Sequence, residues 1–217
     1  MISKNGIESK KVNLIGIIDV GIGNIGSLNN AVYELGFDTC LVNNSDKLAE
    51  CDSLILPGVG SFSHGMKALR NAGLIEPIGA HVSKNKPLLG ICLGMQFLFD
   101  QGNEGGKQDG LGLIPGVVNR FKEHPSLRIP HVGWNEVTQS KDHIVFRGVK
   151  TDIDFYFVHS YHVSCNPTYV FANTQYGEIF PSVVSNNNVV GMQFHPEKSQ
   201  KNGLRMLENF CLWNEKC

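Results

Sequence analysis

A cysteine between two glycines is the feature of this sequence that most clearly points to chemistry. The segment Gly90-Ile91-Cys92-Leu93-Gly94 has the form G-x-C-x-G and joins an apolar run to a helix-like stretch. This pattern predicts a sharp strand-to-helix turn that projects a nucleophile, with glycines relieving the steric crowding. The N–H of Leu93 points toward the same place and can bind an oxyanion. We predict that Cys92 is a nucleophile; a buried structural cysteine is the alternative interpretation.

A histidine and a glutamate two residues apart can serve as the proton carrier and the orienting acid that such a nucleophile needs. His195 and Glu197 lie in the segment FHPE, directly after the apolar run VVGMQF. A strand there places His195 at the carboxyl edge of a parallel sheet, where the Cys92 turn also lies. His159 and His131 compete for the role of base, but the neighbouring acid favours His195.

Two glycine-rich turns follow other predicted strands. Pro57-Gly58-Val59-Gly60 has backbone N–H groups that could face a developing oxyanion, and the alternative is an ordinary tight turn. The turn 19–24 contains the spacing GxGN rather than GxGxxG and lacks an acidic ribose partner, so we expect no dinucleotide cofactor. The six cysteines are scattered without a CxxC, which argues against a metal site and against a disulfide framework.

The elements that must position these residues alternate between strand and helix in the first half of the chain. Strands are predicted at 13–19, 37–42, 53–56 and 88–92, and helices at 25–36, from Ser61 or Ser63, at 74–83 and at 93–100. This alternation predicts an α/β fold with a mostly parallel sheet flanked by helices.

The second half predicts hairpins rather than βα units. Short strands are expected near 116–121, 135–138, 154–158, 169–175, 179–184 and 188–194, followed by an amphipathic helix at 199–213. We expect these strands to be antiparallel and to extend or flank the parallel sheet. The whole is predicted to be a single domain, 13–217, after an N-terminal extension, 1–12.

Composition excludes several classes of protein. The chain has 217 residues, 41% of them hydrophobic and 18% charged, as expected of a folded globular domain. The net charge of -1 and the absence of a long basic run argue against nucleic-acid binding. No apolar run approaches the ~18 residues of a membrane span. The polar N-terminus does not resemble a signal peptide, and we expect a cytoplasmic protein.

The two motifs together resemble the class I (triad-type) glutamine amidotransferases, and within them the glutaminase subunits of imidazole glycerol phosphate synthases. GICLG and FHPE are shared across the class, whereas PHVGWN and GLGLIPG are more specific. The matching segments, in order, are IIDVGIGNIGS, LPGVGSF, LLGICLGMQFLF, GLGLIPG, IPHVGWN, YFVHSY and MQFHPEKSQKNG, from about residue 14 to 210. The resemblance implies a flavodoxin-like glutaminase fold.

The resemblance implies a role for each matching residue. Cys92 would attack the carboxamide of L-glutamine, forming a glutamyl thioester and releasing ammonia, while His195 moves protons and Glu197 orients it. A peptide flip in the oxyanion turn would switch the oxyanion hole on. The residues expected to bind the oxyanion or the substrate are Gly58, Val59, Gly60, Leu93, Gln96, Ser160 and Tyr161.

The resemblance also implies a partner and no cofactor. The partner would be a cyclase subunit, a (β/α)8 barrel, in a heterodimer whose interface ammonia crosses to form imidazole glycerol phosphate in histidine biosynthesis. An aminoimidazole-carboxamide ribonucleotide would be the second product. The residues expected at or near this interface are Asn24, Val132, Trp134, Tyr156 and Lys198.

Alternatives stay open at this point. Val20 and Val132 depart from the Tyr and Met frequent in this family, and paralogous glutaminases serve a cyclase-like partner in surface-polysaccharide amidino-sugar synthesis. The glutaminase of pyridoxal phosphate synthesis fits less well, because it does not account for PHVGWN. A stand-alone cysteine hydrolase predicts activity without a partner. A non-catalytic module predicts loss of one of the three triad residues, all of which are present.

Overall fold

The computed structural model describes residues 13–123, 125 and 127–213, so the predicted extension 1–12 and the end of the predicted domain lie outside the described residues. The strands are β1 (Leu14–Ile18), β2 (Asp38–Val42), β3 (Ser53–Gly58), β4 (Leu88–Cys92), β5 (Phe99–Gly102), β6 (Gln108–Asp109), β7 (Ile114–Arg120), β8 (His131–Gln139), β9 (Ile153–His159), β10 (Tyr161–Cys165), β11 (Val170–Tyr176), β12 (Glu178–Asn186) and β13 (Val189–Met192). The helices are α1 (Ile25–Glu34), α2 (Ser45–Glu50), α3 (Phe62–Asn71), α4 (Ile75–Ser83), α5 (Leu93–Phe97) and α6 (Gln200–Cys211).

A mixed sheet forms the centre of the molecule, with strand order β2-β1-β3-β4-β13-β12-β11-β8-β9. The pairs from β2 to β13 are parallel, and those from β13 to β9 are antiparallel. Every residue of β3 and of β4 is buried, which explains why both strands are continuous apolar runs in the sequence. The predicted α/β class with a parallel first half is confirmed.

A second, smaller sheet with strand order β10-β7-β5-β6 flanks the first. Apolar side chains between the two sheets, including Phe97, Phe99, Ile114 and Val163, belong to one buried cluster with those of β3 and α3. The second half of the chain therefore both extends the parallel sheet and packs against it.

Several element predictions were wrong in detail. The helix predicted at 93–100 ends at Phe97, and Phe99 already begins β5. The strand predicted at 188–194 pairs antiparallel with β12 but parallel with β4, so it completes the parallel part of the sheet. Helix α2 and strands β5, β6 and β10 were not predicted.

The carboxyl ends of β3, β4 and β13 meet at one edge of the sheet. Turns that leave these ends carry the three segments singled out for chemistry, because adjacent parallel strands end side by side. None of the described helices is both long and apolar enough to cross a membrane.

Candidate active site

Cys92 occupies a sharp turn between β4 and α5. Its backbone has φ 55° and ψ -109°, and a positive φ is uncommon for a residue with a side chain. The residue is only 5% exposed. Strained backbone of this kind persists only where surrounding packing enforces it, and it is concentrated at functional sites.

The flanking glycines make that packing possible. A side chain at Gly94 would collide with the carbonyl oxygen of Leu56 in β3, and one at Gly90 would lie 2.6 Å from the carbonyl oxygen of Gly94. The start of α5 thus lies directly against β3 and β4, closer than any Cβ allows. The G-x-C-x-G spacing is a steric requirement of this turn.

His195 and Glu197 lie in the turn between β13 and α6. Nδ1 of His195 is 2.8 Å from Oε1 of Glu197, and both side chains are 4% exposed. The backbone of His195 is held as well, since its N–H donates to the carbonyl of Tyr156 and its carbonyl accepts from the Ser199 hydroxyl. The imidazole is therefore fixed in position by both its ring and its main chain.

Opposing effects set the protonation of His195. Burial lowers its pKa, but the nearby Cys92 sulfur and the Glu197 carboxylate outweigh burial and raise the pKa to about 10. Among the described residues, none makes a hydrogen bond with Nε2 of His195, so this nitrogen can exchange a proton with a reacting group. A protonated imidazole beside the sulfur can donate a proton to a leaving amine.

The Cys92 sulfur has two further polar neighbours. Its thiol donates to the carbonyl oxygen of Val158 at 3.7 Å, and the side-chain amide of Gln193 donates to the sulfur at 3.9 Å. Gln193 is fully buried and was not singled out from the sequence. It belongs to no motif that indicates chemistry, and only its position two residues before His195 could have suggested a place in the site.

The sulfur opens onto a cavity of about 260 Å³. This is below the ~300–1,000 Å³ of drug-sized ligand pockets, so the cavity suits a small metabolite. The cavity contains all the predicted oxyanion and substrate residues except Gly58, which packs behind Leu93. The lining residues are Val59, Gly60, Cys92, Leu93, Gln96, Glu104, Pro130, Val158, His159, Ser160 and Tyr161.

Glu104 was not predicted, and it orders the wall of this cavity. Its carboxylate accepts from the N–H of Phe62 at 2.7 Å. This contact satisfies one of the unpaired N–H groups at the start of α3, where Ser61 makes no side-chain cap. The loop after β5 is thereby tied to the turn that contains Val59 and Gly60.

The predicted oxyanion turn adopts a defined orientation. The N–H of Val59 donates to the carbonyl of Ile22, in the turn after β1, at 2.6 Å. An N–H engaged there is not available to an oxyanion above Cys92. Gly60 has φ 96°, a conformation that favours glycine.

His131 and His159 lie in a chain of hydrogen bonds beside the cavity. Nδ1 of His159 contacts the Tyr161 carbonyl at 2.8 Å, and Nε2 of His159 lies 3.0 Å from Nδ1 of His131. Burial lowers the pKa of His131 to about 4 and, with smaller contributions from neighbouring histidines, lowers the pKa of His159 to about 3. Both rings are neutral near pH 7, which suits an orienting role better than that of a base.

The predicted interface residues lie around the same edge of the molecule. Val132 pairs with Val158, and Trp134 with Tyr156, across the β8–β9 hairpin. The side chains of Val132 and Trp134 are 55% and 46% exposed, and Val158 and Val59 are also exposed. Asn24 and Lys198 are exposed polar residues, and Asn24 caps α1 by accepting from the N–H of Ser27.

The Cys92 turn, the His195–Glu197 pair and the small cavity lie together at one edge of the sheet. The family model "Glutamine amidotransferase class-I" matches residues 16–213. Solved structures share the fold: PurLQS of Thermotoga maritima (TM-score 0.72, 18% identity, 92% of this chain and 97% of that one) and a putative GMP synthase protein of Thermoplasma acidophilum (TM-score 0.68, 22% identity, 92% of each). The chain therefore belongs to the class I glutamine amidotransferases.

Curated relatives narrow the family further. The chain is 48% identical over 197 residues to the imidazole glycerol phosphate synthase subunit HisH of Methanocaldococcus jannaschii, covering 91% of this chain and 98% of that protein. It is 44% identical over 198 residues to subunit HisH 1 of Campylobacter jejuni, with the same two shares. Within the class, the chain belongs to the HisH family of imidazole glycerol phosphate synthase subunits.

Proposed function

We propose that this chain is a cytoplasmic glutaminase that hydrolyses L-glutamine and delivers ammonia to a synthase partner in histidine biosynthesis. The observation that carries the proposal is the buried arrangement of Cys92, His195 and Glu197 beside a small cavity. The HisH relatives support the pathway, and their designation as subunits supports a partner.

Each proposed chemical step uses a group already at the site. The Cys92 thiolate attacks the carboxamide carbon, and the protonated His195 gives its proton to the nitrogen as the C–N bond breaks and ammonia leaves. Water then attacks the thioester, His195 accepts its proton, and glutamate and free Cys92 result. Glu197 keeps the imidazole in the orientation that both transfers require.

The remaining cavity residues hold the substrate in this proposal. Gln96, Ser160 and Tyr161 bind the amino-acid end of glutamine on the wall of the cavity. Leu93 donates its N–H to the oxyanion from the first turn of α5, where backbone donors have no partner within the helix. Val59 supplies the second donor once its peptide turns away from Ile22.

The turn at Gly58-Val59-Gly60 then acts as a gate. While the Val59 N–H donates to the Ile22 carbonyl, the oxyanion hole has one donor fewer. Loss of one such donor costs ~10²–10³ in rate. We propose that the partner induces the peptide flip, so that glutamine is hydrolysed when ammonia has somewhere to go.

The exposed face around the cavity is the proposed docking site of the partner, a cyclase (β/α)8 barrel in a heterodimer. Val132, Trp134 and Val158 are exposed apolar side chains on one face of the β8–β9 hairpin. Tyr156 packs its ring edgewise on Trp134, with centroids 6.1 Å apart. Asn24 and Lys198 add polar groups at the margin, as in typical interfaces with an apolar centre and a polar rim.

The test measures glutamate release by the chain alone, with a histidine-pathway cyclase subunit, and with that subunit plus its nucleotide substrate. We expect a slow reaction for the isolated chain and a rise of about 10²–10³-fold in the complete complex. Cys92→Ala abolishes glutamate release, yet its complex still makes imidazole glycerol phosphate from added ammonia. A free chain as fast as the complex would refute the gate.

Two other results would change the assignment. A mutant complex that is inactive with ammonia as well would contradict the division of labour between the subunits. If the native chain releases no glutamate with this partner, the expected partner becomes a cyclase-like subunit from surface-polysaccharide synthesis.

A further inference from the structure

A buried glutamine touches the sulfur of Cys92 and has no part in the reaction described above. Gln193 directly follows β13, is fully buried, and places its side-chain nitrogen 3.9 Å from Sγ of Cys92. We propose that Gln193 is a further active-site residue, whose amide N–H stabilises the thiolate form of Cys92. The inference rests on the proposed function in one respect, that Cys92 is the nucleophile.

The direction of this amide is fixed by its neighbours. Nε2 of Gln96 donates to the backbone carbonyl of Tyr161 at 2.9 Å, so the nitrogen of Gln96 must be on that side. The same nitrogen lies 3.2 Å from Oε1 of Gln193, which therefore must be the oxygen. The Gln193 nitrogen is then left facing Cys92. A flipped Gln193 would oppose two N–H donors, since an amide nitrogen cannot accept.

One polar neighbour of the sulfur favours the neutral thiol, and the other favours the thiolate. The Val158 carbonyl accepts a hydrogen bond from the neutral thiol, and a thiolate has no hydrogen to donate to it. The Gln193 amide donates to sulfur, and a hydrogen bond to a charged acceptor is stronger than one to a neutral acceptor. Because Cys92 and Gln193 are both buried, little water competes for this bond.

Charged and titratable groups around the sulfur act on it at the same time. His195, in the turn after β13, interacts with both the sulfur and Glu197. The titratable residues His159, Tyr161 and Glu104 line the same cavity. His195 contributes a positive charge, whereas burial keeps the pKa of His159 at about 3 and that ring neutral. Gln193 does not titrate, so its hydrogen bond to the sulfur is present at every pH and adds to the effect of the His195 charge.

The experiment follows alkylation of Cys92 by iodoacetamide against pH in the full chain, with peptide mass spectrometry to separate Cys92 from the other cysteines. Gln193→Leu removes the donor and should raise the midpoint by about one pH unit, as expected for one hydrogen bond to a charged group. Gln193→Glu keeps the shape but faces the sulfur with oxygen, and should also raise the midpoint. Gln175→Leu, the same exchange at an exposed position, should leave it unchanged.

A variant that unfolds as cooperatively as the native chain but keeps the native midpoint would overturn the proposal, because a packing role predicts lost stability alone. If neither variant folds, the native chain decides. In the native chain, the ¹H–¹⁵N NMR signal of the Gln193 side-chain amide should shift with pH, with the same midpoint as Cys92 alkylation. A signal that does not shift overturns the proposal.

Failure of this inference is distinguishable from failure of the proposed function, because alkylation requires neither glutamine nor partner. A shifted midpoint with no glutamine hydrolysis in the complex would refute the function and leave the role of Gln193 intact. If the partner stimulates glutamine hydrolysis but the Gln193 variants keep the native midpoint of Cys92 alkylation, the role of Gln193 is refuted and the function stands.

Discussion

At the scale of single residues, the protonation of His195 depends on Glu197. Burial alone lowers the pKa of this imidazole, and the Cys92 sulfur and the carboxylate reverse that effect and raise it to about 10. Glu197→Gln should therefore lower the pKa of His195 and reduce glutamine hydrolysis by the complex by about 10²–10⁴-fold. NMR titration of the imidazole nitrogens measures the first effect directly, and an unchanged titration would contradict it.

The same substitution has a consequence for stability. The folded pKa of His195, about 10, lies above the ~6.5 of an unfolded histidine. The stabilisation from its charge is complete below pH ~6.5 and disappears as pH rises through the folded value. Denaturant unfolding should show the native chain more stable than Glu197→Gln near pH ~6.5, with the difference shrinking toward alkaline pH. Glu208→Gln, whose glutamate pairs with Arg205 on the surface of α6, should show no such trend.

Some residues of the site could be predicted from sequence and others could not. The proximity of Cys92, His195 and Glu197 could be predicted, because each lies in a short motif that directly follows a predicted strand. Gln193 and Glu104 were not predicted, because their contacts with Cys92 and Phe62 join positions far apart in the chain. Only the folded sheet and loops bring such pairs together.

At the scale of elements, the turn at Cys92 depends on close contact between α5 and β3. Gly94→Ala would force a methyl group into the carbonyl of Leu56, which is backbone and cannot move aside cheaply. We expect a loss of about 3 kcal/mol or more in the free energy of unfolding. Gly79→Ala in α4 meets no atom within 4 Å and should stabilise by about 0.5–1 kcal/mol. Urea unfolding of both variants tests the contrast, which equal effects would contradict.

The elements that sequence patterns missed have physical reasons. Helix α2 is six residues long with Leu48 as its buried contact, so it has almost no apolar periodicity. Residues 93–99 of the helix predicted at 93–100 are all buried, so no exposed polar face interrupts them, and nothing in the sequence pattern indicates that the helix ends at Phe97. Phe99 continues into β5 because the second sheet offers it strand partners, which is a tertiary effect.

At the scale of the whole molecule, strand β9 connects the proposed docking face with the active site. The carbonyl of Tyr156 accepts from the N–H of His195, and the carbonyl of Val158 accepts from the Cys92 thiol. These two β9 residues pair with Val132 and Trp134 of β8, so the side chains of each pair lie beside one another on the same face of the hairpin. A partner that binds this face therefore acts on the strand whose backbone carbonyls contact Cys92 and His195.

Trp134 offers the sharpest test of this face, because large aromatic side chains dominate the energy of protein interfaces. Trp134→Ala should raise the dissociation constant for the cyclase subunit by about 30-fold, as ~2 kcal/mol implies. The chain alone should unfold almost as before, since the side chain is 46% exposed. Calorimetric titration of the partner measures the first effect and denaturant unfolding the second.

Tyr33→Ala is the matched control, because this aromatic is 70% exposed near the far end of α1, away from Asn24. It should bind the partner as the native chain does. Native affinity in Trp134→Ala would remove the β8–β9 hairpin from the interface. Weaker binding by both variants would mean that the docking surface extends from the hairpin to α1. If Trp134→Ala binds weakly but saturating partner restores full glutamine hydrolysis, Trp134 contributes affinity, and the signal to the gate passes through the rest of the face.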